Sequence, residues 1–224
     1  MNPNRKKMVN ADLSEEKRMQ IIDAAQKRFG MYGYEKTAVQ EIARDLGISK
    51  ALVYYYFPDK AKLLHDVIQK EQKEFFRVLE GQICITCDPT EKLNQYVSFR
   101  LEHFRSFVNL SKLRVEEYTR VIRPVMQDLI NELREKDIEV VMNILELGIK
   151  QKQFVIPDLE GITNLFLEIL RCLRHSVIRQ KDFFMLSQED YDLASKRVHQ
   201  FLELFISGII NPELKLKKDR KSVI

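Results

Sequence analysis

The sequence is poor in glycine and proline and contains no tryptophan. Its 224 residues include only 7 glycines and 6 prolines, too few for a fold built from many short strands and turns. No apolar run approaches the roughly 18 residues that cross a membrane. The basic N-terminus is not followed by the apolar stretch of a secretory signal. We therefore expect a helical protein, located in the cytoplasm and without a membrane partner.

Sequence motifs of common enzymes are also missing. The chain has no G-x-S-x-G, no Walker loop, no dinucleotide-binding glycine pattern and no H-E-x-x-H. Its carboxylates are numerous but scattered, as on solvated helix faces. We therefore expect neither an enzyme nor a cofactor.

Cysteine is scarce, with Cys84 and Cys87 forming a single C-x-x-C and Cys172 far along the chain. A structural zinc site needs four ligands, and none of the four histidines has H-x-x-x-H spacing. We expect no metal and three reduced cysteines. A redox-responsive regulator that uses the Cys84/Cys87 pair is left open as an alternative.

The most informative segment is Thr37 to Lys60, TAVQEIARDLGISKALVYYYFPDK. Apolar residues recur there at helical spacing, which predicts a helix with one buried side. Thr37 is a candidate N-cap for this helix, and Gly47 marks its end. Ser49 is placed to cap a second helix, Lys50 to Tyr56. Helix, short turn with glycine and capped second helix form a helix-turn-helix pattern.

The second helix carries more large side chains than a short helix can bury. Val53 and Phe57 lie four residues apart and can face inward. Tyrosine combines an apolar ring with a hydroxyl, which suits contact with sugar, thymine methyl groups and phosphate. The helix start also favours phosphate through its free N–H groups. The remaining faces carry Lys50, Ala51, Leu52, Tyr54, Tyr55 and Tyr56.

From Glu16 to about Phe75, the sequence resembles the DNA-binding domain of TetR/AcrR-type transcriptional regulators. The matching text is RMQIIDAAQKRFGMYGYEKTAVQEIARDLGISKALVYYYFPDKAKLL. The resemblance implies a three-helix head with Lys50 to Tyr56 as recognition helix. Relatives often have Gly-Thr at the Ala51-Leu52 positions, and Leu52 could only meet a thymine methyl group. The candidate DNA contacts are Thr37, Ser49, Lys50, Ala51, Leu52, Tyr54, Tyr55, Tyr56 and Lys60.

Positive charge is concentrated at both ends of the chain. Residues 1–60 hold 11 Lys/Arg against 8 Asp/Glu, and residues 211–224 hold 5 against 2. Residues 61–210 are slightly acidic, with 21 against 23. A basic head is expected of a protein that displaces counterions from DNA. We therefore expect double-stranded DNA as a partner.

The rest of the sequence predicts helices, giving an all-α fold of about nine in total. We divide the chain into a basic N-terminal arm (1–13), a DNA-binding domain (14–75, with the helix-turn-helix at about 37–57), a helical regulatory and dimerisation domain (76–210) and a basic, disordered tail (211–224). Apolar spacing predicts helices from about 125 to 149, from 157, and from about 190 to 208.

The last two predicted helices are apolar on more than one face. Such helices need burial on both sides or a shared partner face. The resemblance implies a homodimer formed through these helices, on a near-palindromic operator. The candidate dimer residues are Phe166, Leu170, Leu173, Val177, Phe201 and Phe205.

The resemblance also implies a small-molecule effector between the body helices, and repression as the usual mode of control. An arginine or histidine among apolar side chains could orient a polar or anionic ligand. Each of these residues could equally be an ordinary core or surface residue. The candidate lining is Tyr96, Arg100, His103, Phe104, Phe107, Tyr118, Met126, Arg171 and His175. A helical adaptor that binds proteins is the alternative from another class.

Overall fold

The fold is helical throughout the part of the chain that the structure describes. This structure is a computed structural model, and it describes residues 3–83, 88–111, 123–177 and 187–213. In these ranges the chain forms nine helices and no strand, which confirms the predicted all-α fold. They are α1 (Pro3–Tyr32), α2 (Val39–Asp45), α3 (Lys50–Tyr56), α4 (Lys60–Ile83), α5 (Pro89–Ser111), α6 (Arg123–Val125), α7 (Gln127–Lys150), α8 (Leu159–His175) and α9 (Gln188–Ile209).

The described residues form two compact units. Those within 1–73 and 107–129 belong to the first unit, and those within 74–106, 130–180 and 186–213 belong to the second. None of the helices in the described ranges has the length and apolar character needed to cross a membrane. The domain boundaries expected at residues 75 and 210 remain predictions.

In the first unit, α1 packs against α2 and α2 against α3. Arg28 of α1 donates two hydrogen bonds to the carboxylate of Asp45 in α2, from Nε at 2.5 Å and from Nη2 at 2.7 Å. A planar guanidinium suits such a bidentate pair. Lys70 of α4 donates to Asp23 of α1 at 2.5 Å. The first pair of bonds holds α1 against the helix-turn-helix, and the last bond holds α4 against α1.

The turn between α2 and α3 has the backbone that the sequence predicts. Gly47 has φ of +62°, in the left-handed region that glycine adopts without strain. Ser49 caps α3 by accepting a hydrogen bond from the backbone N–H of Leu52 at 3.1 Å. The predicted recognition helix, Lys50 to Tyr56, is confirmed to the residue.

The predicted cap of α2 is wrong. The N-cap is Ala38, whose backbone N–H donates to the carboxylate of Glu41 at 2.9 Å. The hydroxyl of Thr37 instead donates to the carbonyl of Gly33 at 2.8 Å. The start of α2 is therefore stabilised by the carboxylate of Glu41, the third residue of the helix, and not by the side chain of the N-cap residue. Thr37 therefore stabilises the preceding turn.

Two other boundaries differ from the prediction. α1 begins at Pro3, so the residues assigned to a basic arm, 1–13, include the start of this helix. The helix expected from about 125 to 149 is divided at Met126, after the single turn α6. Pro124 cannot donate a backbone hydrogen bond, which suits the start of a helix and not its interior. Of the predicted tail, residues 214–224 lie outside the described ranges.

The second unit has an apolar core to which α4, α5, α7, α8 and α9 contribute. Phe166 of α8 is fully buried, with its ring 4.5 Å from that of Phe205 in α9. A single antiparallel bridge joins Phe154 to Ile210. The ring of Phe154 occupies the space beside Gly148, where an added Cβ would lie 2.0 Å from it. This glycine therefore allows the turn after α7 to close onto the end of α9.

Substitution of Gly47 by alanine should lower the free energy of unfolding by about 1–2 kcal/mol, because a side chain disfavours the left-handed backbone. The measurement is urea unfolding of each variant. Gly81→Ala is the matched control. Gly81 lies within α4, an added Cβ there meets nothing within 4 Å, and alanine favours a helix. Equal stability changes in the two variants would contradict the role given to Gly47.

Candidate nucleic-acid interface and body site

Helix α3 has one buried side and one exposed side. Val53 and Phe57 are each 1% exposed, which confirms that these two residues face inward. Arg18 of α1 places its guanidinium over the ring of Phe57, 5.4 Å from the centroid. The inward residues fix the rotation of α3 about its axis. That rotation decides which side chains reach solvent.

The outer side of α3 presents a lysine and tyrosines. Lys50 and Ala51 are exposed, as are Tyr54 and Tyr55, the last with 78% of its surface in solvent. The ammonium of Lys50 lies 5.6 Å from the centre of the Tyr54 ring. The face thus combines positive charge, hydroxyl groups and aromatic surface, a combination suited to the sugar-phosphate backbone of DNA. Leu52 and Tyr56 are half-buried.

Lys60, at the start of α4, lies against the turn before α2. Its ammonium is 4.1 Å from the ring centre of Tyr34 and donates to the carbonyl of Glu35 at 3.3 Å. A lysine over an aromatic face is held by the ring quadrupole. Lys60 is therefore held at a defined place beside the helix-turn-helix, and its contact with DNA remains a prediction.

Thr37 does not present its side chain to a ligand. It is 1% exposed, and its hydroxyl is engaged with backbone carbonyls. We therefore withdraw the side chain of Thr37 from the candidate DNA contacts. Ser49 is exposed, but its hydroxyl already accepts the capping bond from α3. The sequence alone could not distinguish a threonine that caps the following helix from one whose hydroxyl donates to a carbonyl of the preceding turn.

The second unit contains a buried polar group centred on Asp137 of α7. The hydroxyl of Tyr96 donates to Oδ1 of Asp137 at 2.8 Å, and Nη2 of Arg100 lies 3.1 Å from Oδ2. Nη1 of Arg100 donates to Nδ1 of His103 at 3.1 Å, so this ring nitrogen accepts and the ring is neutral. Burial raises the pKa of Tyr96 well above its usual value, with Asp137 adding to the effect.

A second arginine, Arg174 of α8, is buried in the same unit. It is 8% exposed, and its guanidinium lies 5.6 Å from the ring centre of Phe104. Burial lowers the pKa of Arg174 to about 10, and the positive charge of Arg100 acts in the same direction. The Nε atoms of both arginines are buried without a hydrogen-bond partner. Sequence analysis missed Arg174 and Asp137.

The structure brings together only part of the predicted ligand lining. Tyr96, Arg100, His103 and Phe104 lie on α5 in the second unit. Arg171 is exposed, and His175 is exposed with its ring 4.9 Å from that of Phe104. Met126 is buried in the first unit. The side chain of Phe107 and the whole of Tyr118 lie outside the described part of the chain.

The predicted dimer residues fall into two groups. Phe166, Leu170 and Val177 are buried within the chain, which removes them from a surface that a partner could cover. Leu173, Phe201 and Phe205 are half-buried and pack against the core. The exposed apolar side chains of α8 and α9, which sequence analysis missed, are Leu165, Leu193 and Leu204.

The cysteines are described only in part. Cys172 is an exposed free thiol on α8. Cys84 and Cys87 lie outside the described ranges. A redox role of this pair remains a prediction. Among the residues that the structure does describe, no cluster of three or more His, Cys, Asp or Glu could hold a metal ion.

A capped seven-residue helix that presents lysine and tyrosine beyond a glycine turn defines a helix-turn-helix DNA-binding protein. The sequence model described as "Bacterial regulatory proteins, tetR family" matches residues 21–67. A transcriptional regulator from Cytophaga hutchinsonii has a similar crystal structure, with 35% identity and a TM-score of 0.78, covering 85% of this chain and 96% of that one. The chain belongs to the TetR family of transcriptional regulators.

Two further relatives are similar over most of the chain. The fatty acid metabolism regulator protein of Bacillus subtilis is 26% identical over 204 residues, 87% of this chain and 96% of that protein. A transcriptional regulator of Saccharomonospora viridis, solved in complex with choline, has a TM-score of 0.67 at 21% identity and covers 88% of this chain and 98% of that one, which shows the shared fold. Membership of the TetR family makes the chain a DNA-binding transcriptional regulator, a class of protein that is not enzymatic.

The half-buried His103 of the second unit should make the fold sensitive to acid. Burial, with Arg100 and Arg174 nearby, lowers the pKa of His103 from 6.5 to about 3. Between these values the unfolded chain takes up a proton that the folded chain does not, so the free energy of unfolding falls as the pH falls. In His103→Gln this slope should be shallower by up to about 1.4 kcal/mol per pH unit.

Urea unfolding of both proteins at several pH values between 4 and 7 measures these slopes. Glutamine keeps an oxygen that can accept from Arg100, so the two proteins should differ least at pH 8. Identical slopes would show that His103 is not the group responsible.

Proposed function

We propose that this chain is a repressor that binds a near-palindromic operator as a homodimer and is released by a small molecule held in its helical body. The observation that supports DNA recognition most directly is the outer side of α3, which presents Lys50, Tyr54 and Tyr55 to solvent. Ala51 beside them allows a close approach to a base. Tyrosine hydroxyls and a lysine would hold phosphates, while few polar groups remain to read bases.

A homodimer is supported by apolar side chains that α8 and α9 leave in solvent. Leu204 is 74% exposed and Leu165 is 52% exposed, although both helices also contribute to the core. A partner copy that covers these residues would remove apolar surface from water. Two-fold symmetry would also offer two recognition helices to two half-sites, which explains a near-palindromic operator.

Release by an effector is supported by the polar groups buried in the second unit. Arg100, Asp137 and Tyr96 lie in an otherwise apolar core and could orient a ligand. An effector releases the operator only if it binds the conformation without DNA more tightly. Repression follows from the family's usual behaviour. The full-length similarity to the Bacillus subtilis regulator supports genes of lipid metabolism as targets.

The DNA-binding proposal predicts different effects for two exposed residues of α3. Lys50→Ala should weaken binding to the operator and lower the slope of log affinity against log salt by about 1.8, because each of the two copies loses one phosphate contact worth about 0.9. Tyr55→Ala should weaken binding by about tenfold without changing that slope, because it removes no charge. Fluorescence anisotropy with a DNA fragment from the promoter next to the protein's own gene, at several salt concentrations, measures the affinity and its salt dependence for each variant.

Lys150→Ala is the matched control, since Lys150 is an exposed lysine of α7 in the second unit. It changes the net charge by the same amount and should leave affinity and slope almost unchanged. Wild-type affinity in both α3 variants would refute the proposed interface. Absence of specific binding by the wild-type protein would refute DNA recognition itself and favour a protein-binding adaptor.

The dimer proposal predicts that a charge at Leu204 separates the two copies. Leu204→Glu should elute as a single chain of 26.6 kDa, whereas the wild-type protein should have twice that mass. A carboxylate buried at an apolar interface loses its hydration. Val155→Glu places the same charge at another exposed apolar side chain, 57% in solvent, and should remain dimeric. Light scattering after size-exclusion chromatography measures the molar mass of each protein. A dimeric Leu204→Glu protein would show that the interface lies elsewhere.

A further inference from the structure

The buried charges of the second unit do not balance among the residues that the structure describes. Arg100 and Arg174 are 6% and 8% exposed, and Asp137 is the one carboxylate buried with them. Asp137 pairs with Arg100 at 3.1 Å, and its charge also acts on Arg174, whose guanidinium lies over the face of Phe104. Two buried guanidinium groups therefore share one buried carboxylate, and a buried charge that is only partly compensated is costly. This arrangement calls for a negative charge.

The surroundings of the two guanidinium groups also have unused hydrogen-bonding capacity. Nε of Arg100 and Nε of Arg174 are each buried without a partner. Buried polar atoms of a folded protein are nearly always hydrogen-bonded, so two such donors in one buried cluster need an explanation. His103 cannot supply the missing negative charge, because its ring is neutral and accepts from Arg100.

Aromatic side chains line the same cluster. The guanidinium of Arg100 lies 5.3 Å from the ring centre of Phe75, that of Arg174 lies 5.6 Å from Phe104, and the rings of Phe75 and His103 are 4.3 Å apart. An inorganic ion would use the charge but not this apolar surface. A molecule with an anionic head and an apolar part would use both.

We propose that Arg174, assisted by Arg100, binds the carboxylate of a small amphipathic acid in the helical body. This inference rests on the proposed function, since it names the chemical class of the effector. The carboxylate is the missing counter-ion, and it accepts hydrogen bonds from guanidinium donors that have no other partner. Asp137 and Tyr96 hold Arg100 in place, which leaves Arg174 as the group that selects negative charge.

The test compares acids with neutral molecules of the same shape. Octanoate and phenylacetate should bind to the wild-type protein and raise its melting temperature, whereas octanamide and phenylacetamide should bind at least tenfold more weakly. Titration calorimetry measures the affinities. Inorganic phosphate should bind more weakly than either acid, since it has no apolar part. Equal affinities for acids and amides would overturn the proposal, and so would preferential binding of phosphate.

Arg174→Met and Arg171→Met form a matched pair on α8. Arg171 is an exposed arginine three residues earlier, so its variant should bind octanoate like the wild-type protein. Arg174→Met should lose the preference for acid over amide, with affinity for octanoate at least tenfold lower. Without ligand its melting temperature should not fall, because an uncompensated buried charge has been removed. A lower melting temperature with acid selectivity intact would show that Arg174 is only structural.

Arg174→Lys keeps the proposal testable should the methionine variant fail to fold. Lysine retains the charge but not the planar fork, so it should still prefer acid to amide, with weaker binding. Loss of the preference in this variant would contradict a charge-based site. Operator binding is measured separately with and without octanoate. Acid binding that leaves operator affinity unchanged would refute release by an effector while the anion site stands.

Discussion

The proposed DNA-binding surface depends on the burial of two side chains, one within a very short helix and one directly at its end. α3 has seven residues, and isolated helices of that length are unstable in water. Val53 and Phe57 supply the burial that stabilises it, and the Ser49 cap satisfies a backbone donor at its start. Because both apolar residues lie on one side, Lys50, Tyr54 and Tyr55 are left on the exposed side. The same contacts that fold the helix therefore present the proposed recognition side to solvent.

The helix-turn-helix could be read from the sequence because its signals are local. A glycine with a left-handed backbone, a serine cap and two apolar residues four apart act within about ten positions. The N-cap of α2 was misassigned because Thr37 and Ala38 compete within the same local pattern. Glu41 decides the outcome by bonding to the backbone N–H of Ala38, which leaves the threonine hydroxyl to bond backward.

The helices of the second unit could be predicted from the sequence, but which side of each helix is buried could not. Apolar spacing places Phe166 and Leu165 on the same helix, yet the first is fully buried and the second is half in solvent. Which stripe of an almost wholly apolar helix faces its own core depends on contacts with distant helices, such as the Phe166–Phe205 contact. The sequence did contain a pattern that could have identified Arg174 as buried. Arg174 continues the buried row of Phe166 and Leu170 at four-residue spacing, a position where a charge needs compensation.

The two buried arginines give the body a reason to respond to a ligand. Two guanidinium groups that share one buried carboxylate destabilise the arrangement in which both are buried, so a bound anion would stabilise that arrangement more than one in which an arginine reaches water. A neutral ligand that merely filled apolar space would contact both arrangements with similar energy and would shift their populations less. Charge neutralisation at Arg174 is thus a differential interaction of the kind that an effector requires. Asp137 pairs with Arg100 at 3.1 Å, so Arg100 would assist the binding of an anion while Arg174 selects its charge.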